Sequence, residues 1–174
     1  MFVLDTNVVS ELRKIRLGKA DPHVEQWADS VDAGSLHISA ITILELGIGV
    51  LQIERKDPRQ GTVLRTWLDT LVLPAFNGRI FPVNTAVAQR CARLHVPDPH
   101  AERDALIAAT ALVHGMTAVT RSSRPCGRLR TSSGVSSGRP VWCSAKLRPD
   151  RSLSSARLMV WNTTVSWPSR SENS

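Results

Sequence analysis

Apolar and polar positions along residues 1–121 follow two periods, one of about two residues and one of about 3.6. Phe2-Val3-Leu4 is an apolar run too short for a helix, and it stops at Asp5. Leu36-His37-Ile38-Ser39, Arg79-Ile80-Phe81-Pro82-Val83 and Thr117-Ala118-Val119-Thr120 have the same strand-like character. Between them the helical period dominates. Asn7 is placed to cap a helix carrying Val8, Val9 and Leu12, and Pro22 suits the first turn of one carrying Val24, Trp27 and Val31. Thr42 stands three residues before Glu45, a capping-box spacing, so a helix is predicted from about Ile41 to Gln52. Thr62 to Leu73 is amphipathic, Thr85 to Leu94 repeats Val87, Cys91 and Leu94, and Ala101 to His114 is closed by Gly115.

Strands alternating with helices imply an α/β fold whose mostly parallel sheet is covered on both faces, a three-layer α/β/α arrangement. Ligand sites in such sheets lie beyond the carboxyl ends of the strands. After Arg121 the texture changes. Residues 122–174 hold 14 serines against 4 in the first 121, and no period persists. The chain therefore divides into a folded domain at 1–121 and a Ser/Arg-rich tail at 122–174, for which the expectation is disorder or poor folding.

Charge sharpens this division. The net charge of +7 suggests nucleic-acid binding, but residues 1–121 carry 13 Lys and Arg against 13 Asp and Glu. The tail carries 9 against 2, so the whole excess lies there and says nothing about the domain. The absence of any run of eighteen apolar residues argues against a membrane span. An acid at the fifth position with no basic region before it is unlike a secretory signal. Three cysteines without a CxxC pair fit a reducing compartment, hence the cytoplasm. His95 and His100 flank a Pro-Asp-Pro turn and read as loop residues rather than metal ligands.

Three carboxylates carry the candidate chemistry. Asp5 ends the first strand, where it is either a helix cap or a site residue. Glu45 interrupts Ile41-Thr42-Ile43-Leu44-Glu45-Leu46, where it either closes the capping box or needs a partner or metal. Asp104 opens an apolar helix, where the dipole alone favours an acid, and Glu102 is its neighbouring rival. Taken together, three acids from distant segments at one sheet edge are best balanced by a hard divalent cation such as Mg²⁺. A phosphatase of the haloacid-dehalogenase type also uses an Asp after its first strand. It wants a second acid two residues on, and that position here is Asn7.

The stretches Val3–Leu12, Ile38–Gly49 and Arg103–Ala111 resemble the three leading motifs of PIN-domain ribonuclease toxins of the VapC kind, in order and at the family's separations, and Val119-Thr120-Arg121 resembles the start of the fourth. The resemblance implies a PIN-like fold and an endoribonuclease of a type II toxin–antitoxin pair. It implies that Asp5, Glu45 and Asp104 bind Mg²⁺, with Mn²⁺ as a substitute, and that Thr6 and Asn7 orient Asp5 and the substrate. RNA, a cognate antitoxin and a second copy of the chain are the partners it implies. The family continues Thr-Arg-Asn-x-x-Asp-Phe, whereas here Ser122 and Pro125 stand in place of the Asn and the Asp. The fold is thus expected to be incomplete at the C-terminus, with a weak or inactive nuclease that keeps antitoxin binding as the alternative. Gly127–Ser133 can be encoded so that a one-nucleotide shift reads Ala-Asp-Phe-Glu-Pro-Ala, which makes a frameshift one origin for the tail.

Overall fold

The computed structural model describes residues 1–97, 99–121, 141–143 and 158–160. Its elements run β1 (Phe2–Leu4), α1 (Thr6–Ile15), α2 (Pro22–Asp29), β2 (Leu36–Ser39), α3 (Ala40–Lys56), α4 (Pro58–Trp67), a π-helical turn at Leu68–Val72, α5 (Leu73–Ala75), β3 (Ile80–Phe81), α6 (Thr85–Leu94), α7 (Glu102–Val113), β4 (Thr117–Thr120), β5 (Val141–Cys143) and β6 (Leu158–Val160). The sheet order is β3-β2-β1-β4-β6-β5, and all neighbours are parallel except β5 and β6.

Side-chain alternation along the strands divides the core into two layers. Leu4, Leu36, Ile38 and Val119 face α1, α3 and the α4 region, packing with Val8, Val9, Leu46, Val50, Leu68 and Val72. Val3 and Ala118 face the other way, onto Ile107 and Ala111 of α7. Ala105 and Ala109 then pack α7 against Val87 and Cys91 of α6, small residues that allow two helices to approach closely. The α/β/α sandwich expected from the alternation is therefore present. Phe2 meets Trp27 edge-on at 5.7 Å, which anchors α2 to the sheet. Arg79 closes the far side by donating to the carbonyls of Ala33, Leu36 and Ala75.

Several local expectations are revised by capping chemistry. Asp5, not Asn7, is the N-cap of α1, its carboxylate accepting from the Thr6 amide at 2.7 Å. Ser39, not Thr42, caps α3. Thr42 lies inside that helix, fully buried, and donates to the Leu4 carbonyl at 3.1 Å, so it closes no capping box with Glu45. The amphipathic stretch from Thr62 begins earlier, at Pro58, because Asp57 accepts from the amides of Arg59 and Gln60. Gly115 does end α7, with φ +63°, a conformation that favours glycine. Beyond residue 121, the short apolar runs Val-Trp-Cys and Leu-Met-Val form β5 and β6 and extend the sheet past β4. The rest of 122–174, including Ser122 and Pro125, lies outside the described residues. Among the described residues no helix is long and apolar enough to cross a membrane.

The hairpin of α3 and α4 depends on one glycine. A Cβ on Gly61 would stand 2.5 Å from the Glu54 Cα and 2.8 Å from its amide nitrogen, so backbone, not a flexible side chain, blocks it. Gly61→Ala is expected to lower stability by about 1–3 kcal/mol despite alanine's better helix propensity. Urea denaturation checks this, and a variant as stable as the parent would show that the two helices separate at no cost.

Candidate active site

Parallel register puts the strand ends level. Leu4 pairs with both Ile38 and Val119, so the residues that follow, Asp5, Ser39 and Thr120, form one row at the carboxyl edge. The Asp5 amide donates to the Val119 carbonyl at 2.9 Å, which locks that row to β4. Asp5 is 7% exposed, and a buried carboxylate must find donors. Its Oδ1 accepts from the Thr6 amide; its Oδ2 accepts from the Thr120 hydroxyl at 2.6 Å and, more distantly, from the Asn7 amide at 3.4 Å.

Thr6 connects Asp5 to Glu45. Its hydroxyl donates to Glu45 Oε2 at 2.5 Å while its amide serves Asp5. One residue thus sets the spacing of two carboxylates 40 positions apart in sequence. Glu45 is half-buried on α3 between exposed Leu44 and buried Leu46. Its other oxygen faces Arg103 of α7 at 3.7 Å. Asp104, the next residue, is exposed on the first turn of α7, where its charge complements the helix dipole. Among the described residues no three His, Cys, Asp or Glu side chains stand together as a ready metal site. What converges is an acid pair with Thr6, Asn7 and Thr120 around it. Those donors are all oxygen atoms or orient oxygen atoms, the chemistry that suits a hard divalent cation keeping several of its own waters.

A second polar cluster was not foreseen. Glu11 is 4% exposed on the inner face of α1. It accepts from Lys14 at 2.9 Å, from the Asp21 amide at 2.9 Å and from Arg121 at 2.6 Å, and Arg121 also reaches Asp21 at 3.8 Å. Arg121 is therefore committed to two acids rather than adding loose positive charge to the edge. Burial alone would push the Glu11 carboxyl up. The Lys14 hydrogen bond, the Asp21 amide and the Arg121 and Lys14 charges outweigh it and hold the group below its ordinary value. The sequence carried one signal for it: Glu11 falls three residues after Val8, on the face that the helical period buries. Thr120 carried another, as the polar residue directly after the apolar run of β4.

Comparison with known proteins bears on the same region. The PIN domain family model matches residues 2–125. The chain is 35% identical to VapC ribonuclease Y4jK of Sinorhizobium fredii over 130 residues, covering 72% of this chain and 89% of that protein. It is 36% identical to Toxin FitB of Neisseria gonorrhoeae, covering 71% and 88%. The crystal structure of FitAcB from the same organism superposes with a TM-score of 0.63 at 34% identity, covering 71% of this chain and 88% of that one.

The Glu11 cluster gives a sign for acid stability. A carboxyl held low in the fold binds protons more readily when unfolded, so its contribution is complete above the ordinary value near 4.5 and fades as pH falls through the folded value. Glu11→Gln is expected to be less stable at pH 7 and to lose less further stability between pH 4.5 and pH 3. Denaturation midpoints across that range provide the measurement. Parallel acid limbs in parent and variant would assign the acid sensitivity to other groups.

Proposed function

This chain belongs to the PIN-domain family, to its VapC-type ribonuclease toxins, and we propose that it is a Mg²⁺-dependent endoribonuclease that cleaves RNA phosphodiester bonds from the acid pair of Asp5 and Glu45. The observation that carries the reading is the single Thr6 bound to both carboxylates at the carboxyl edge of a parallel sheet. Mn²⁺ would serve as a substitute ion.

Asp5 and Glu45 would hold the ion, with Asp104 joining from the exposed first turn of α7. When bound, the ion supplies a Lewis acid for the phosphate and lowers the pKa of a water. The chain's own part is positional. Thr6 fixes the carboxylate spacing, Thr120 and Asn7 hold the Asp5 plane, and the Val119 carbonyl holds its backbone. Without an ion, two closely held carboxylates repel a phosphodiester, so substrate and cation are expected to enter together. A carboxylate of the site is suited to take the proton from the attacking water, and no covalent enzyme intermediate is required. The partners proposed are a small antitoxin that brings an Arg or Lys to this acidic edge, a second copy of the chain, and RNA, all in the cytoplasm.

A second reading, antitoxin binding with weak or absent cleavage, draws support from Pro125 standing where the family pattern has its fourth acid.

Cleavage of a single-stranded RNA with and without Mg²⁺ tests the first reading. Thr120→Val, which removes the hydroxyl that orients Asp5, is expected to cost about 10–100-fold. Asp5→Asn and Glu45→Gln are expected to cost more. Mg²⁺-independent cleavage, or cleavage that survives Asp5→Asn, would refute it. A version carrying Asn-x-x-Asp-Phe after Arg121 separates the two readings: a large gain over the parent supports the second, equal rates the first. Co-purification with the product of the gene directly upstream is the expected mark of the antitoxin, and its failure would remove that partner.

A further inference from the structure

We infer that Arg103 is a substrate-phosphate ligand held in waiting on Glu45, and that the same guanidinium competes with the divalent cation for that carboxylate; this rests on the nuclease reading and deepens it. The two oxygens of Glu45 are held unequally. Oε2 has the Thr6 hydroxyl at 2.5 Å, a contact built from half-buried groups. Among the described residues Oε1 faces Arg103 Nη1 at 3.7 Å, well beyond the 2.7–2.9 Å of a charge-assisted hydrogen bond. Arg103 is 52% exposed against 20% for Glu45, so the guanidinium sits on the solvent side of the carboxylate and can swing away. Exposed ion pairs of this geometry are weak.

Arg121 is taken by Glu11 and Asp21, and Lys14 by Glu11. Arg103 stands beside the acid pair, and among the described residues the partner it faces is the oxygen a divalent ion would take. It also stands next to Asp104, so one turn of α7 offers an acid for the ion and a planar fork for the anion. Such a fork matches two phosphate oxygens, which a lysine ammonium does not. When an ion occupies Glu45 Oε1, the guanidinium loses its anchor, and the nearest incoming anion is the phosphodiester.

The test uses the full chain, Arg103→Gln and Arg103→Lys, with circular dichroism to confirm folding. Mn²⁺ binding without RNA is measured by calorimetry. Binding of a 2′-O-methyl oligonucleotide in Ca²⁺ is measured by fluorescence anisotropy at several salt concentrations. Arg103→Gln should bind Mn²⁺ about 2- to 5-fold tighter, since a competing cation is gone. It should bind the oligonucleotide about tenfold more weakly, with the salt dependence reduced by about 0.7 in slope, the loss of one phosphate contact. Arg103→Lys should restore the slope but not the full affinity. Unchanged Mn²⁺ affinity or an unchanged salt slope in Arg103→Gln overturns the proposal alone. A parent chain that takes up no Mn²⁺ overturns the nuclease reading and this proposal with it.

Discussion

Parallel strands all end at the same edge, and in this chain their register makes that edge level. Leu4 lies between Ile38 and Val119, so one row holds Asp5, Ser39 and Thr120. Everything at the acidic edge follows from that alignment. A shift of one residue would turn each strand's side chains to the opposite layer and take Asp5 out of reach of Thr120. The two hydrophobic layers oppose such a shift, because Leu4, Ile38 and Val119 are wholly buried in one and Val3 in the other. Core packing therefore fixes the position of groups that themselves add little to the core.

Hydroxyl groups complete the wiring. Thr42 satisfies the last carbonyl of β1, Thr110 approaches Ser39 at 3.4 Å while donating to the Leu106 carbonyl, Thr6 bridges the acids and Thr120 holds Asp5. Each is a short side chain with few rotamers, so the geometry it imposes costs little conformational entropy. Buried polar groups joined in this way rigidify a site, since any one left unpaired would be penalised.

The layered α/β fold was legible because periods of two and 3.6 residues are written along the whole of residues 1–121. β2, α6 and β4 have the bounds the pattern implies. Helix starts were less legible, because Asp5, Ser39 and Asp57 compete for the cap with equally suitable neighbours, and only backbone geometry decides between them. Asp5 and Glu45 could be picked out as charges at the end of an apolar strand and within an apolar helix. Their link through Thr6 could not, since it joins residues far apart in sequence. Glu11 and Arg121 escaped for the same reason: their pairing spans 110 positions. Asp104 lies exposed in the first turn of α7, where the helix-opening position expected from the sequence puts it.

Arg121 sits one residue beyond the hydroxyl that holds Asp5, and Glu11 and Asp21 fasten it there. The end of β4 is thus held in a fixed socket beside the acids. A group attached to a socket by a short tether acts at an effective concentration of about millimolar, whatever its intrinsic affinity. A short side chain or segment placed there would inherit proximity to the acidic edge and would need to supply only the chemistry.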